Sequence, residues 1–207
     1  MAFIIFFGYE FLTSLLPFGI SFVVFQNMKR KKGILCSKPC NLAVWIFAVY
    51  IIAVYQITGA GTLYDGFWYH WEVRQGQLNL SPFSNGVDVT SYLNVLLFIP
   101  LGIIVPYIWK AWERLIPVVG VALLLTTLIE LSQLLNNRRT DVDDIILNVA
   151  GAVIGFGLYK IWRILTGKQN QISSMTAGEL PVYLLVMFVG RFLLFDGMGL
   201  ARLLYGF

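Results

Sequence analysis

The sequence predicts an all-α protein: a polytopic transmembrane bundle of five to six helices with an outward-facing, aromatic-rich interfacial segment. Three observations lead there. Hydrophobic residues make up 58% of the chain and charged residues 13%, about half the roughly 25% charge of a soluble domain. The mean hydropathy is +0.75. The apolar residues also fall in blocks, several of them near the ~20 residues needed to cross a hydrocarbon core. Within lipid each backbone N–H and C=O must be satisfied inside its own segment, so these blocks are expected to be helices. Strand alternation is absent, which argues against an outer-membrane barrel.

The first span is expected over residues 4–26, followed by the basic run Lys29-Arg30-Lys31-Lys32. Charges that follow an apolar stretch reverse the order of a secretory signal, so a retained helix with its N-terminus outside is expected. A second span covers residues 42–57. Residues 58–90 hold Tyr64, Phe67, Trp68, Tyr69, Trp71 and Phe83 among charged neighbours, as in a segment lying at the headgroup level. Spans at residues 92–109 and 115–134 flank the loop Lys110-Ala111-Trp112-Glu113-Arg114. A polar bend, Asn136-Asn137-Arg138-Arg139-Thr140-Asp141, leads into a span at residues 144–165. After a Gly/Gln/Ser-rich linker, residues 180–195 form a shorter sixth candidate, interrupted by Arg191. The chain divides into an additional N-terminal helix with a basic loop (residues 1–41), a core (42–165), and a linker with a hydrophobic C-terminal segment (166–207).

Orientation follows from the basic residues. With the N-terminus outside, Lys29, Arg30, Lys31, Lys32, Lys38, Lys110, Arg114, Lys160, Arg163 and Lys168 fall inside. Arg74, Arg138, Arg139 and Arg202 fall outside, a clear inside excess. The net charge of +4 then reflects topology and acidic lipid, not a nucleic-acid partner. Cys36 and Cys40 lie beside the basic run on the expected inner side, where a disulfide is disfavoured. Palmitoylation or metal binding there is conceivable, but two Cys without a nearby His make a poor metal site.

Ionisable groups inside membrane helices cost at least ~2.5 kcal/mol near the centre and default to functional hypotheses. Thr126, Glu130, Gln133 and Asn137 are spaced to share one helical face, as are Asp141, Asp144, Asn148, Gly151 and Gly155. A tight hairpin would join these faces at the outer end, with Arg138 and Arg139 at the tip, and Asn94 and Asn79 within reach. Blander readings stand beside this one. Thr140-x-x-Asp143 resembles a capping box, with Asp143 and Asp144 favouring a helix start. Gly151-x-x-x-Gly155 suits close packing, and Arg138 with Asp141 would make a structural ion pair. These accounts leave Glu130 with Gln133 least explained, because a buried carboxylate needs protonation or a partner, most plausibly an arginine.

Four blocks carry a family resemblance: Asn79-Leu80-Ser81-Pro82-Phe83, Asn94 to Gly102 with its Ile99-Pro100-Leu101-Gly102 end, Glu130-Leu131-Ser132-Gln133, and Arg138-Arg139-Thr140-Asp141-Val142-Asp143-Asp144 continuing to Asn148 and Gly151. In this order they resemble the signature of VanZ-like proteins over residues 42–165. Either Arg138 or Arg139 could supply the arginine of that pattern, and spacing favours Arg138. The resemblance implies a bacterial membrane protein linked to reduced susceptibility to teicoplanin and related lipid-bearing glycopeptides. Carried over, the candidate pocket comprises Asn79, Asn94, Glu130, Gln133, Arg138, Asp141, Asp143, Asp144 and Asn148.

The leading expectation is a binding module whose outward, membrane-level pocket takes a lipid headgroup, a lipid-linked cell-wall precursor or the lipoglycopeptide itself, with no cofactor. An alternative is an enzyme on a lipid-linked envelope substrate, with a divalent cation on Asp141, Asp143 and Asp144. A Ser-His-Asp or Cys-His set is not available around the lone His70, which reads as an aromatic-belt residue. A substrate-capturing subunit of an uptake transporter is the third class, although no inverted repeat is visible.

Overall fold

The protein is described from a computed structural model, covering residues 2–84, 86, 89–167 and 175–206. Lys168 and the Gln/Ser-rich part of the linker lie outside the described residues. Among those residues, five helices are long and apolar enough to cross a membrane, or six if a final bent pair forms one span. The long helices are α1 (Ala2–Lys31) and α2 (Lys38–Thr58), then α4 (Val89–Ile108), α5 (Leu115–Gln133) and α6 (Val142–Thr166). A short α3 (Leu63–Trp68) follows α2, and α7 (Glu179–Leu194) meets α8 (Gly197–Tyr205) at a 43° bend.

Local chemistry sets the helix ends. Ser37 caps α2 by accepting from the Cys40 amide, and Gly59 closes it in the left-handed region at φ 64°. Thr62 and Asp65 form a reciprocal capping box at α3. The start of α6 differs from the sequence expectation. Asp141, not Thr140, is the N-cap and accepts from the Asp143 amide at 3.0 Å. Thr140 is drawn away because its hydroxyl donates to the Glu130 carbonyl at 2.9 Å.

The core lies around α2, whose Val44, Phe47, Ala48, Ile51, Val54 and Tyr55 are fully buried against Phe98, Leu101, Ala122, Leu125, Tyr183 and Met187. The outside is as apolar as the inside. Ile20, Leu42, Ile116, Ile164 and Leu165 all project from the bundle, a surface that water would not tolerate and lipid covers. Along α4 and α6 the backbones nearly touch. A Cβ on Gly151 would fall on the Val95 carbonyl, one on Gly155 on the Ile99 carbonyl, and one on Gly102 on the Ala152 carbonyl. The Gly151/Gly155 pair is thus a packing surface. Leucine at Gly155 is expected to push α4 from α6 and to lower stability by about 1–3 kcal/mol or more. A thermal midpoint in detergent equal to that of the parent would contradict this.

Two buried ion pairs join α7 to α1, and neither was expected. Arg191, which interrupts the last apolar segment, is 6% exposed, with Nη2 and Nε donating to Glu10 Oε1 at 2.8 and 3.1 Å. Its Nη1 donates to the Ala60 carbonyl. Lys29, expected in a solvated basic loop, is buried at the other end and meets Glu179 at 3.1 Å. The segment between α2 and α4 is not uniformly interfacial. It contains α3, and its residues Leu78–Asn79 (β1) pair in parallel with Thr140–Asp141 (β2). Phe67, Trp71, Phe83 and His70 remain exposed at this end of the bundle.

Candidate functional site

The N-terminal half of α1, the C-terminal ends of α2, α5 and α7, and the N-terminal ends of α4 and α6 share one end of the bundle. Arg191 on Glu10 and Ala60, and the Gly61 amide on Ser132 Oγ at 2.9 Å, tie these ends together. The basic residues Lys110, Arg114, Lys160 and Arg163 lie at the ends of α4, α5 and α6 opposite to it. At the shared end α2, α4, α5 and α6 enclose a cavity of about 300 Å³. Its walls include Thr58, Thr90, Asn94, Glu130, Gln133, Arg138, Arg139, Asp144 and Asn148, with Ile57 and Leu93.

Of the residues chosen from sequence, Asn94, Glu130, Gln133, Arg138, Asp144 and Asn148 line this cavity. Asn79, Asp141 and Asp143 do not, and they hold its frame. Asn79 Nδ2 donates to both Asp141 carboxylate oxygens at 3.0 and 2.9 Å. Asp143 Oδ1 accepts from the Phe83 amide at 2.8 Å. These bonds clamp the 79–83 turn onto the start of α6. The expected Arg138–Asp141 pair is replaced by Arg139 Nε to Asp141 Oδ2 at 3.6 Å. Such a half-exposed pair is worth little in stability.

Inside the cavity Glu130, Asn94, Gln133 and Asn148 each have a defined partner on one side. Glu130, 3% exposed, accepts from the Asp141 amide through Oε2 at 3.1 Å. Asn94 Nδ2 donates to Asp144 Oδ1. Gln133 Nε2 donates to the Thr58 carbonyl at 2.8 Å, and Asn148 Nδ2 to Thr126 Oγ1 at 2.8 Å. The opposite oxygens, Gln133 Oε1 and Asn148 Oδ1, are buried without a donor. Arg138 is placed by its surroundings. Its amide donates to Asn136 Oδ1, Asn136 Nδ2 donates to the Gly59 carbonyl at 2.9 Å, and its guanidinium lies where a Gly59 side chain would be. Glycine at position 59 thus serves both its positive φ and this close approach.

Among the described residues no three His, Cys, Asp or Glu side chains are grouped to hold a metal ion. Asp141, Asp143 and Asp144 turn to Asn79, Phe83 and Asn94 respectively, so they do not converge as the sequence reading allowed. Residues that reading missed are Thr58, Thr90 and the Gly59-Ala60-Gly61 turn. Two glycines after an apolar run are a weak signal of a close approach, and nothing in the sequence says to what.

Comparison with known proteins bears on the same region. No curated protein and no solved structure matches the chain. A family model described as VanZ/LLP1 matches residues 45–163, within three residues of the stretch over which the motifs resemble that family. The match covers more than half of the chain and contains every residue that lines the cavity. The chain is a multi-pass membrane protein that belongs to the VanZ/LLP1 family.

Proposed function

We propose that this protein is a binding module of a bacterial cell membrane, and that its cavity takes the polar end of a lipid, a lipid-linked cell-wall precursor or a lipoglycopeptide. Through that binding it lowers susceptibility to teicoplanin-like antibiotics. The single observation that carries the reading is the cavity itself: buried carboxylate and amide acceptors inside it, two arginines in its wall, and lipid-facing Ile57 and Leu93 beside them. Arginine presents a planar fork to phosphate or carboxylate. A site that combines such a fork with apolar neighbours suits an amphiphile better than a soluble metabolite. The inside excess of basic residues supports an outer position for this end, with the N-terminus outside.

In a susceptible host, Arg138→Ala and Glu130→Ala are each expected to abolish protection against teicoplanin while the protein still accumulates in the membrane. Retained protection in both variants removes the reading. Sidedness is checked with a single cysteine beside Arg138, after Cys36 and Cys40 are replaced. Labelling of intact cells by an impermeant maleimide is expected, and labelling only after lysis reverses the orientation.

A further inference from the structure

We infer that the cavity is built for a phosphate ester bearing a primary ammonium group, the phosphate on Arg138 and Arg139 and the ammonium among Glu130, Gln133 and Asn148. This rests on the reading of the cavity as a headgroup site and specifies its chemistry.

The interior carries acceptors that no protein donor reaches. Gln133 and Asn148 are 5% and 2% exposed, and each amide is anchored by one N–H, to Thr58 and to Thr126. The oxygen of each is buried without a donor, and an orphaned buried acceptor is destabilising until a donor arrives. Glu130, one helical turn from Gln133 on the same face of α5, adds a carboxylate. A primary ammonium offers three donors and no lone pair, so it suits three acceptors. A hydroxyl would turn lone pairs towards the same oxygens, and a quaternary ammonium has no N–H to give.

The arginines supply the other half. Among the described residues no carboxylate lies within ion-pair distance of Arg138, while Arg139 reaches only Asp141, at 3.6 Å. Both line the cavity with the acceptors, so one small ligand can meet the two charges together. A volume of about 300 Å³ is at the low end for ligand sites, in keeping with a headgroup. Ile57 and Leu93, 66% and 56% exposed on the outside of the bundle, also line it, so the cavity opens beside the acyl-chain region.

The test uses the purified full chain in detergent, mixed with equal amounts of phosphatidylethanolamine, phosphatidylcholine and phosphatidylglycerol, with bound lipid counted by native mass spectrometry. Phosphatidylethanolamine is expected to be retained about tenfold or more over phosphatidylcholine, as a single charge-assisted hydrogen bond provides. It is also expected to exceed phosphatidylglycerol, which lacks the cation. Asn148→Leu, which keeps the branched heavy-atom shape and removes the oxygen along with the NH₂ on Thr126, is expected to reduce the preference several-fold. The comparison in the parent protein stands by itself should that variant fail to fold. A second arm adds soluble glycerophosphoethanolamine. A thermal shift from it equal to that from the lipid identifies an aqueous source and a shift from the lipid alone a bilayer source, both in keeping with the inference. Equal retention of the ethanolamine and choline lipids overturns it while leaving the cavity a headgroup site. Action by neither probe also overturns it, and the Arg138→Ala and Glu130→Ala strains then decide separately whether the proposed function falls.

Discussion

Replacing Arg191 by alanine is expected to loosen α1 and α7 from the bundle and to lower stability by about 3–5 kcal/mol, the usual cost of stranding one member of a buried ion pair. The stranded group is Glu10, 7% exposed, which would lose both guanidinium donors. The Ala60 carbonyl would lose its donor in the same step. The pair is less an energy source than a mutual obligation, so removing both members is expected to cost much less than removing one. Glu10→Leu combined with Arg191→Leu should recover most of the lost stability, short of the part that belongs to Ala60. Tryptophan fluorescence during thermal unfolding in detergent measures each variant. An Arg191→Ala protein as stable as the parent, or a double variant worse than both singles, would show that the contact does not hold the helices.

The second large effect concerns Glu130, where charge and hydrogen bonding can be separated. Its carboxylate accepts the Asp141 amide, so Glu130→Ala leaves a backbone N–H at the head of α6 without an acceptor, at about 1–3 kcal/mol. Glu130→Gln can keep that bond through its amide oxygen, and it is expected to lie within about 1 kcal/mol of the parent. Under the proposed function the glutamine variant nonetheless loses antibiotic protection, because it replaces one carboxyl oxygen facing the ligand by an NH₂ donor. Measured together, stability and protection should diverge for glutamine and fall together for alanine. Full protection in Glu130→Gln would reduce Glu130 to a frame residue, in the company of Asp141 and Asp143.

The long helices were legible because hydrocarbon imposes one rule on every residue it touches, and apolar runs declare that rule directly. The polar faces of α5 and α6 were legible for the same reason. Residues Glu130, Gln133, Asp144 and Asn148 stand out in runs where polarity is expensive, and helical spacing says which of them share a face. What sequence could not reveal was the division of labour among nine candidates. Asp143 and Asp144 are adjacent and chemically identical, yet the α6 start turns one to the Phe83 amide and the other to Asn94. That choice depends on where the 79–83 turn lands, a contact across more than fifty residues with no periodic signature. Glu10 is a different lesson. It is the one acidic residue in the first apolar block, and intramembrane position alone marks it as needing a partner. The pairing with Arg191 follows once α1 and α7 are known to be neighbours.

The ion pairs at the two ends of α7 have a consequence for the lipid around the protein. α7 has 16 residues, so it is about 24 Å long at 1.5 Å per residue, short of a hydrocarbon thickness of roughly 30 Å. A short span is ordinarily accommodated by snorkelling of its flanking residues, by association with its neighbours or by local thinning of the bilayer. Here Glu10–Arg191 and Lys29–Glu179 fix its height against α1, and a slip of one turn would break both at once. Acyl chains beside α7 therefore meet a lower upright wall than those beside α1 before the chain bends by 43° into α8, and thinning of the bilayer on that flank is the expected accommodation.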